Sequence, residues 1–129
     1  MDDIYLPYLM LLLLAALVFK HFVVDFVIQR PRHFLNKGIY GHWGGIEHAL
    51  QHGVLTWAVL FLFTDARFAL TMGIFDSLIH YHVDWFKMRF GEKDNTKNAY
   101  WIWFGVDQLM HQLTYITVIY FMITVFYPN

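Results

Sequence analysis

The chain has 129 residues, enough for one domain, with a net charge of −1 and no cysteine. That charge gives no footprint for nucleic acid, and the missing thiol excludes disulfides, thiolate metal sites and thiol catalysis. Hydrophobic residues make up 58%, above the roughly 45–50% of a soluble domain, so the question is where the polar ones sit.

The first segment, residues 4–28, runs 16 residues without a charge before Lys20. About 20 apolar helical residues span the hydrocarbon core, so a transmembrane helix is expected. Asp2 and Asp3 precede it where a secretory signal has basic residues, and no small-residue cleavage site follows, so the segment is expected to be retained. Residues 29–45 are polar and broken by Pro31, Gly38, Gly41, Gly44 and Gly45, which predicts a loop. Apolar segments at 46–64 and 67–88 are separated only by Asp65 and Ala66, which predicts a tight helical hairpin. A charged loop follows, and then a fourth apolar segment at 99–127. No internal repeat or low-complexity tract breaks this pattern. The expected fold is therefore all-α: residues 1–129 as one integral membrane antiparallel bundle of four transmembrane helices.

Basic residues set the orientation. Arg30, Arg32, Lys37, Lys87, Arg89, Lys93 and Lys97 fall on one side, and only Arg67 falls on the other, beside Asp2, Asp3 and Asp65. The basic side is expected to be cytoplasmic and both termini external, as in a multi-pass protein of the bacterial inner membrane. Trp43, Trp85, Trp101 and Trp103 near one boundary, and Tyr5, Tyr8 and Tyr127 near the other, fit the interfacial preference of amphipathic rings.

Each expected helix also carries ionisable residues four apart. The first has His21 and Asp25, then Gln29. The second has His48 and His52, the third Asp76, His80 and Asp84, and the fourth Asp107 and His111 with Gln108 beside them. Positions i and i+4 share one helical face, so each helix presents a polar stripe. At about 1.5 Å per residue from the cytoplasmic ends, the stripes overlap in one slab of the inner half. His82, two residues after His80, points elsewhere. Lys20, Lys87 and Asp84 lie close enough to helix ends to reach the interface.

A single His or Asp in such a helix is as readily a packing residue that links two helices. The set is harder to read that way. A charge at mid-bilayer costs at least about 2.5–3.5 kcal/mol, so Asp76 and Asp107 need partners. Imidazole and carboxylate are ligands for zinc, iron, manganese and nickel. The metal candidates are His21, Asp25, His48, His52, Asp76, His80, Asp84, Asp107 and His111, with Gln29, Lys87 and Gln108 as outer partners. So many ligands suit two ions, or one ion whose imidazoles are fixed by Asp–His hydrogen bonds.

The runs HFVVDFVIQ, WGGIEHALQH, IHYHVDWFK and DQLMHQ, taken in order, resemble a family of small bacterial multi-pass membrane proteins catalogued as domain of unknown function 3307. The resemblance covers nearly the whole chain and implies the fold and location but no reaction. Trp85 stands where an aromatic such as Tyr often follows the third-helix Asp.

Four readings compete. One is a metal-dependent membrane hydrolase, with Asp84 or Asp25 as general base and Lys87, Arg30 or Arg32 holding an anionic lipid or small-molecule substrate. The second is a metal-ion or proton transporter or channel, which needs a homo-oligomer because one chain is small. The third is haem binding, which the Asp near almost every His disfavours. The last is a structural subunit whose polar cluster fixes helix register.

Overall fold

The computed structural model describes residues 5–128; Asp2, Asp3 and Ile4, the start of the first expected helix, lie outside the described residues. Helices run along the whole described chain, and no strand occurs among the described residues. The first expected helix becomes α1 (Tyr5–Phe22), with Pro7 tolerated in its opening turn, followed by a π-helical turn, Val23–Val27.

The expected loop 29–45 is more ordered than its composition suggests. It contains α2 (Pro31–Phe34), begun by a proline whose fixed φ suits the first helical position. Helix α3 (Trp43–Phe61) starts three residues before the expected boundary, with the His42 side chain accepting the Gly44 N–H at 3.1 Å. Gly44 serves close approach rather than helix breaking: a Cβ there would lie 1.9 Å from the Arg32 carbonyl oxygen.

Helix α4 (Ala66–Phe90) follows the tight turn the spacing predicts, and its first turn is capped by Asp65, which accepts the Phe68 N–H at 2.9 Å. In the next loop the backbone N–H of Asp94, Lys97 and the backbone N–H of Lys93 hydrogen-bond the Glu92 carboxylate and hold it below its ordinary pKa. Helix α5 (Asn98–Phe121) ends in a second π-helical turn, Met122–Phe126.

The four long helices pack α1 against α3 and α5, and α4 against α3 and α5. Their ends show antiparallel neighbours: Asp25, past the end of α1, meets His48 in the early turns of α3, and Phe68 at the start of α4 meets Phe126 beyond α5. The closest crossing is α3 on α4. A Cβ on Gly53 would lie 1.9 Å from Ser77 Oγ and 2.4 Å from the Gly73 carbonyl oxygen. Small residues of this kind let helices touch backbone to backbone. Gly53→Ala is therefore expected to destabilise by about 1–3 kcal/mol through overpacking. Gly105→Ala, with nothing within 4 Å of the new Cβ, should be neutral or stabilising by up to about 1 kcal/mol. Thermal unfolding in detergent reads the difference; equal melting points would mean the α3–α4 contact is looser than described.

The interior has two zones. Met10, Leu13, Leu17, Leu60, Ala69, Met72, Val118 and Met122 form an apolar core in the half that holds the start of α1 and the end of α5. The other half is filled by buried His, Asp and Lys side chains. The stretches Tyr5–Val27 (23 residues) and Asn98–Phe126 (29 residues) are long and apolar enough to cross a membrane. Helices α3 and α4 fall short of that measure because their ionisable residues lower the mean hydropathy.

Candidate metal centre

Asp25 sits in the π-helical turn, where one extra residue per turn re-aims side chains and frees backbone groups. The Ile28 N–H closes the turn on the Val23 carbonyl at 3.0 Å. The Gln29 amide donates to the Asp25 carbonyl at 2.9 Å, so Gln29 ends the helix rather than touching the cluster.

Three imidazoles converge on one oxygen of that carboxylate. His48 Nε2, His52 Nε2 and His80 Nε2 lie 3.0, 2.9 and 3.8 Å from Asp25 Oδ1. One ligand atom from each of the four residues falls within 4.8 Å of all the others. All three rings are fully buried. Neither ring nitrogen of His80 makes a hydrogen bond, nor does His48 Nδ1, although Asp84 Oδ2 lies 3.3 Å from His80 Nε2 at poor geometry. Leaving a buried polar atom unsatisfied costs about 1–3 kcal/mol, and His80 carries two. A cation among the four groups would satisfy His80 Nε2, and three imidazoles with one carboxylate form a donor set used by zinc, iron, manganese and nickel.

A second group adjoins the first. His111 Nε2 lies 3.4 Å from Asp84 Oδ1 and 3.5 Å from Asp107 Oδ1, while Asp84 Oδ2 is 3.3 Å from His80 Nε2. A third set, His21, His80 and His111, links the two. The rings of His52, His80 and His111 form a stack, with centroids 3.6 and 4.1 Å apart.

Lysines divide these carboxylates by role. Lys37 Nζ reaches Asp84 at 2.5 Å and Lys87 Nζ reaches Asp107 at 3.6 Å. Asp76 belongs to neither group: Lys20 Nζ donates to it at 2.6 Å, as does Thr56 Oγ1 at 2.6 Å. Only Asp25 among the four has histidines alone as partners among the described residues. The negative charge left for a cation is therefore at Asp25. Lys20 and Asp84 are buried, 6% and 7% exposed, and do not extend outward as the sequence reading allows.

His21 is satisfied without an ion. Its Nδ1 is 3.0 Å from Tyr115 Oη, and its Nε2 is 3.1 Å from Gln108 Oε1 and 3.2 Å from Asp25 Oδ2. Gln108 in turn donates to Asp107 at 3.1 Å. His82 is a bystander at the surface, bonded to the Leu78 carbonyl and Tyr40.

A family model described as Protein of unknown function (DUF3307) matches residues 11–129. The chain belongs to that family. No curated protein and no solved structure matches it.

Several residues that shape the centre of this DUF3307 chain are not among the sequence candidates. Thr56 and Tyr115 each lie one turn beyond a stripe, after His52 and His111, so extending the i+4 pattern finds them. Lys37 and His33 carry no such signal. His33 is buried beside His48, its ring 5.8 Å away, and lies 3.5 Å from Glu47, which also pairs with Arg32. Arg32 pairs with Glu47 while its side chain stays exposed.

Proposed function

We propose that the chain is a multi-pass protein of the bacterial inner membrane, a single unit of four spanning helices with both termini outside, and that it holds a divalent metal on Asp25, His48, His52 and His80 in its cytoplasmic half. The membrane part draws support from the outward faces. Leu11 and Phe19 on α1, Leu50 and Val54 on α3, Leu70 and Ile74 on α4, and Leu109 and Ile116 on α5 are all exposed. A soluble helix would place polar residues there. That pattern supports reading α3 and α4 as spans beside the two stretches that are long and apolar enough to cross a membrane. The basic loops supply the orientation.

The metal part rests on one observation above others: a fully buried His80 that makes no hydrogen bond from either ring nitrogen, its Nε2 3.3 Å from Asp84 Oδ2 and among three other ligands in reach of one point. A bound divalent ion supplies Lewis acidity at neutral pH. Around it Asp84 and His111 are placed to hold or pass a proton, and Lys37 fixes Asp84. Metal-dependent hydrolysis is the reaction class these groups fit. A conduit across the bilayer fits less well, because the apolar core between Met10, Leu13, Leu60 and Met122 closes the other half.

Elemental analysis of detergent-purified protein, prepared without chelators, tests the centre. One or two ions of zinc, iron, manganese or nickel per chain are expected, falling at least about tenfold in His80→Ala and His48→Ala. Metal-free wild type would overturn the reading and leave a polar cluster that sets helix register. Single cysteines placed in the turn 62–65 and in the loop 91–97 of this cysteine-free chain should label from opposite sides of the membrane.

A further inference from the structure

A groove of about 390 Å³ runs down the outer surface between α4 and α5. Its walls are Val83, Phe86, Trp103, Val106 and Met110, and two charged groups, Lys87 and Asp107, also line it. We infer that this groove binds an anionic membrane amphiphile, with its apolar chain along Val83, Val106 and Met110 and its charged head at Lys87. The inference rests on the membrane placement proposed above, because only there does the groove face hydrocarbon.

Two observations favour that occupant, and a third sets where its head would lie. First, Lys87 is in the last turn of α4, where a lysine ordinarily extends toward water. Here it turns inward, its Nζ 5.0 Å from the Phe104 ring centroid and its side chain only 22% exposed. Second, its ion pair with Asp107 spans 3.6 Å, beyond hydrogen-bond length, so the ammonium keeps donors for an anionic head. Third, Asp107 is 96% buried, and its Oδ1 lacks a hydrogen-bond partner while lying 3.5 Å from His111. The groove therefore opens onto the edge of the His/Asp cluster. A neighbouring groove of about 300 Å³ between α3 and α4 has comparable apolar walls but no lysine or arginine, which makes it a groove for neutral chains only.

The consequence concerns the substrate class. A head held at Lys87 sits beside Asp107 and His111, so the centre is approached from the lipid side. A phosphate-bearing lipid meets these requirements, whereas a water-soluble anion has no use for the apolar wall.

Titration of the detergent-purified chain with phosphatidylglycerol carrying brominated acyl chains tests this, because Trp103 lines the groove and bromine quenches indole fluorescence. Saturable quenching is expected over a non-saturable background from Trp43, Trp57, Trp85 and Trp101, and the saturable part should be lost in Trp103→Phe. Brominated phosphatidylcholine should bind more weakly by about fivefold, the worth of one lysine facing an anionic headgroup. Lys87→Gln should erase that preference, and Lys87→Arg should keep it, which separates lost charge from lost fold. Equal binding of the two lipids, a preference that survives Lys87→Gln, or competition by glycerol phosphate as strong as by the lipid would each overturn the inference. Metal measured on the same samples keeps the two readings apart. Lipid preference without metal sinks the metal centre alone, and metal without lipid preference sinks the groove alone.

Discussion

Lys20→Met is expected to destabilise the protein by about 3–5 kcal/mol, the usual loss when one partner of a buried ion pair is removed. Lys20 and Asp76 are 6% and 1% exposed, and the ammonium also donates to the His52 carbonyl at 3.2 Å and lies 3.1 Å from His52 Nδ1. Met keeps the length and apolar character of the stem but strands the Asp76 carboxylate, which then has only Thr56. The double variant Lys20→Met/Asp76→Asn should recover most of the loss, because removing both charges from a buried pair is often close to neutral. Denaturant unfolding in mixed micelles measures both. A single variant within about 1 kcal/mol of wild type would mean that the pair is solvated. Metal retention should also weaken, since Lys20 orients the His52 ring. An ammonium only donates, so His52 Nδ1 accepts and its ring proton sits on Nε2, toward Asp25. For Nε2 to hold an ion, that proton would have to move to Nδ1 and the Lys20 ammonium would have to give up its contact there.

The stripes were legible because a helix repeats every 3.6 residues, and nothing about tertiary structure is needed to put His48 beneath His52 or Asp107 beneath His111. Eight of the nine metal candidates fall within the three close groups. The exception is Asp76, which shares a stripe with His80 and Asp84 but faces Lys20 across the interior. By sequence Lys20 can reach outward, but it lies about 12 Å in from the expected helix end at residue 28, and the structure turns it inward to Asp76. Other features were not legible. Lys37 reaches Asp84 from a non-periodic segment, so its position depends on the path of the chain between Phe34 and Trp43. The glycines at 44 and 45 read as breakers by composition, yet they serve the contact of α3 with α2 and α4. The π-helical turn at Asp25 has no sequence signature of its own, and it is what brings that carboxylate under three imidazoles.

Asp25→Asn should separate metal binding from folding. The amide oxygen still accepts from His48 Nε2 and His52 Nε2, which lie 3.0 and 2.9 Å from Asp25 Oδ1, so the shape of the pocket is kept. What is lost is the one carboxylate without a lysine, and with it the charge that offsets a divalent cation. Metal content should fall by more than the ten- to hundredfold that losing an outer partner of a ligand costs. Stability measured in chelator should fall by only about 1 kcal/mol, the difference between a charged and a neutral hydrogen bond. Lys20→Met should show the opposite weighting, with a large loss of stability and a smaller loss of metal. If Asp25→Asn keeps its metal, the ion lies instead between Asp84, Asp107 and His111, where two lysines already compete for the carboxylates. If it destabilises as strongly as Lys20→Met while wild type carries no metal, the three imidazoles are anchored on Asp25 for register alone. The two variants measured side by side therefore assign the cluster, because a metal centre and a packing network weight the same two carboxylates in opposite order.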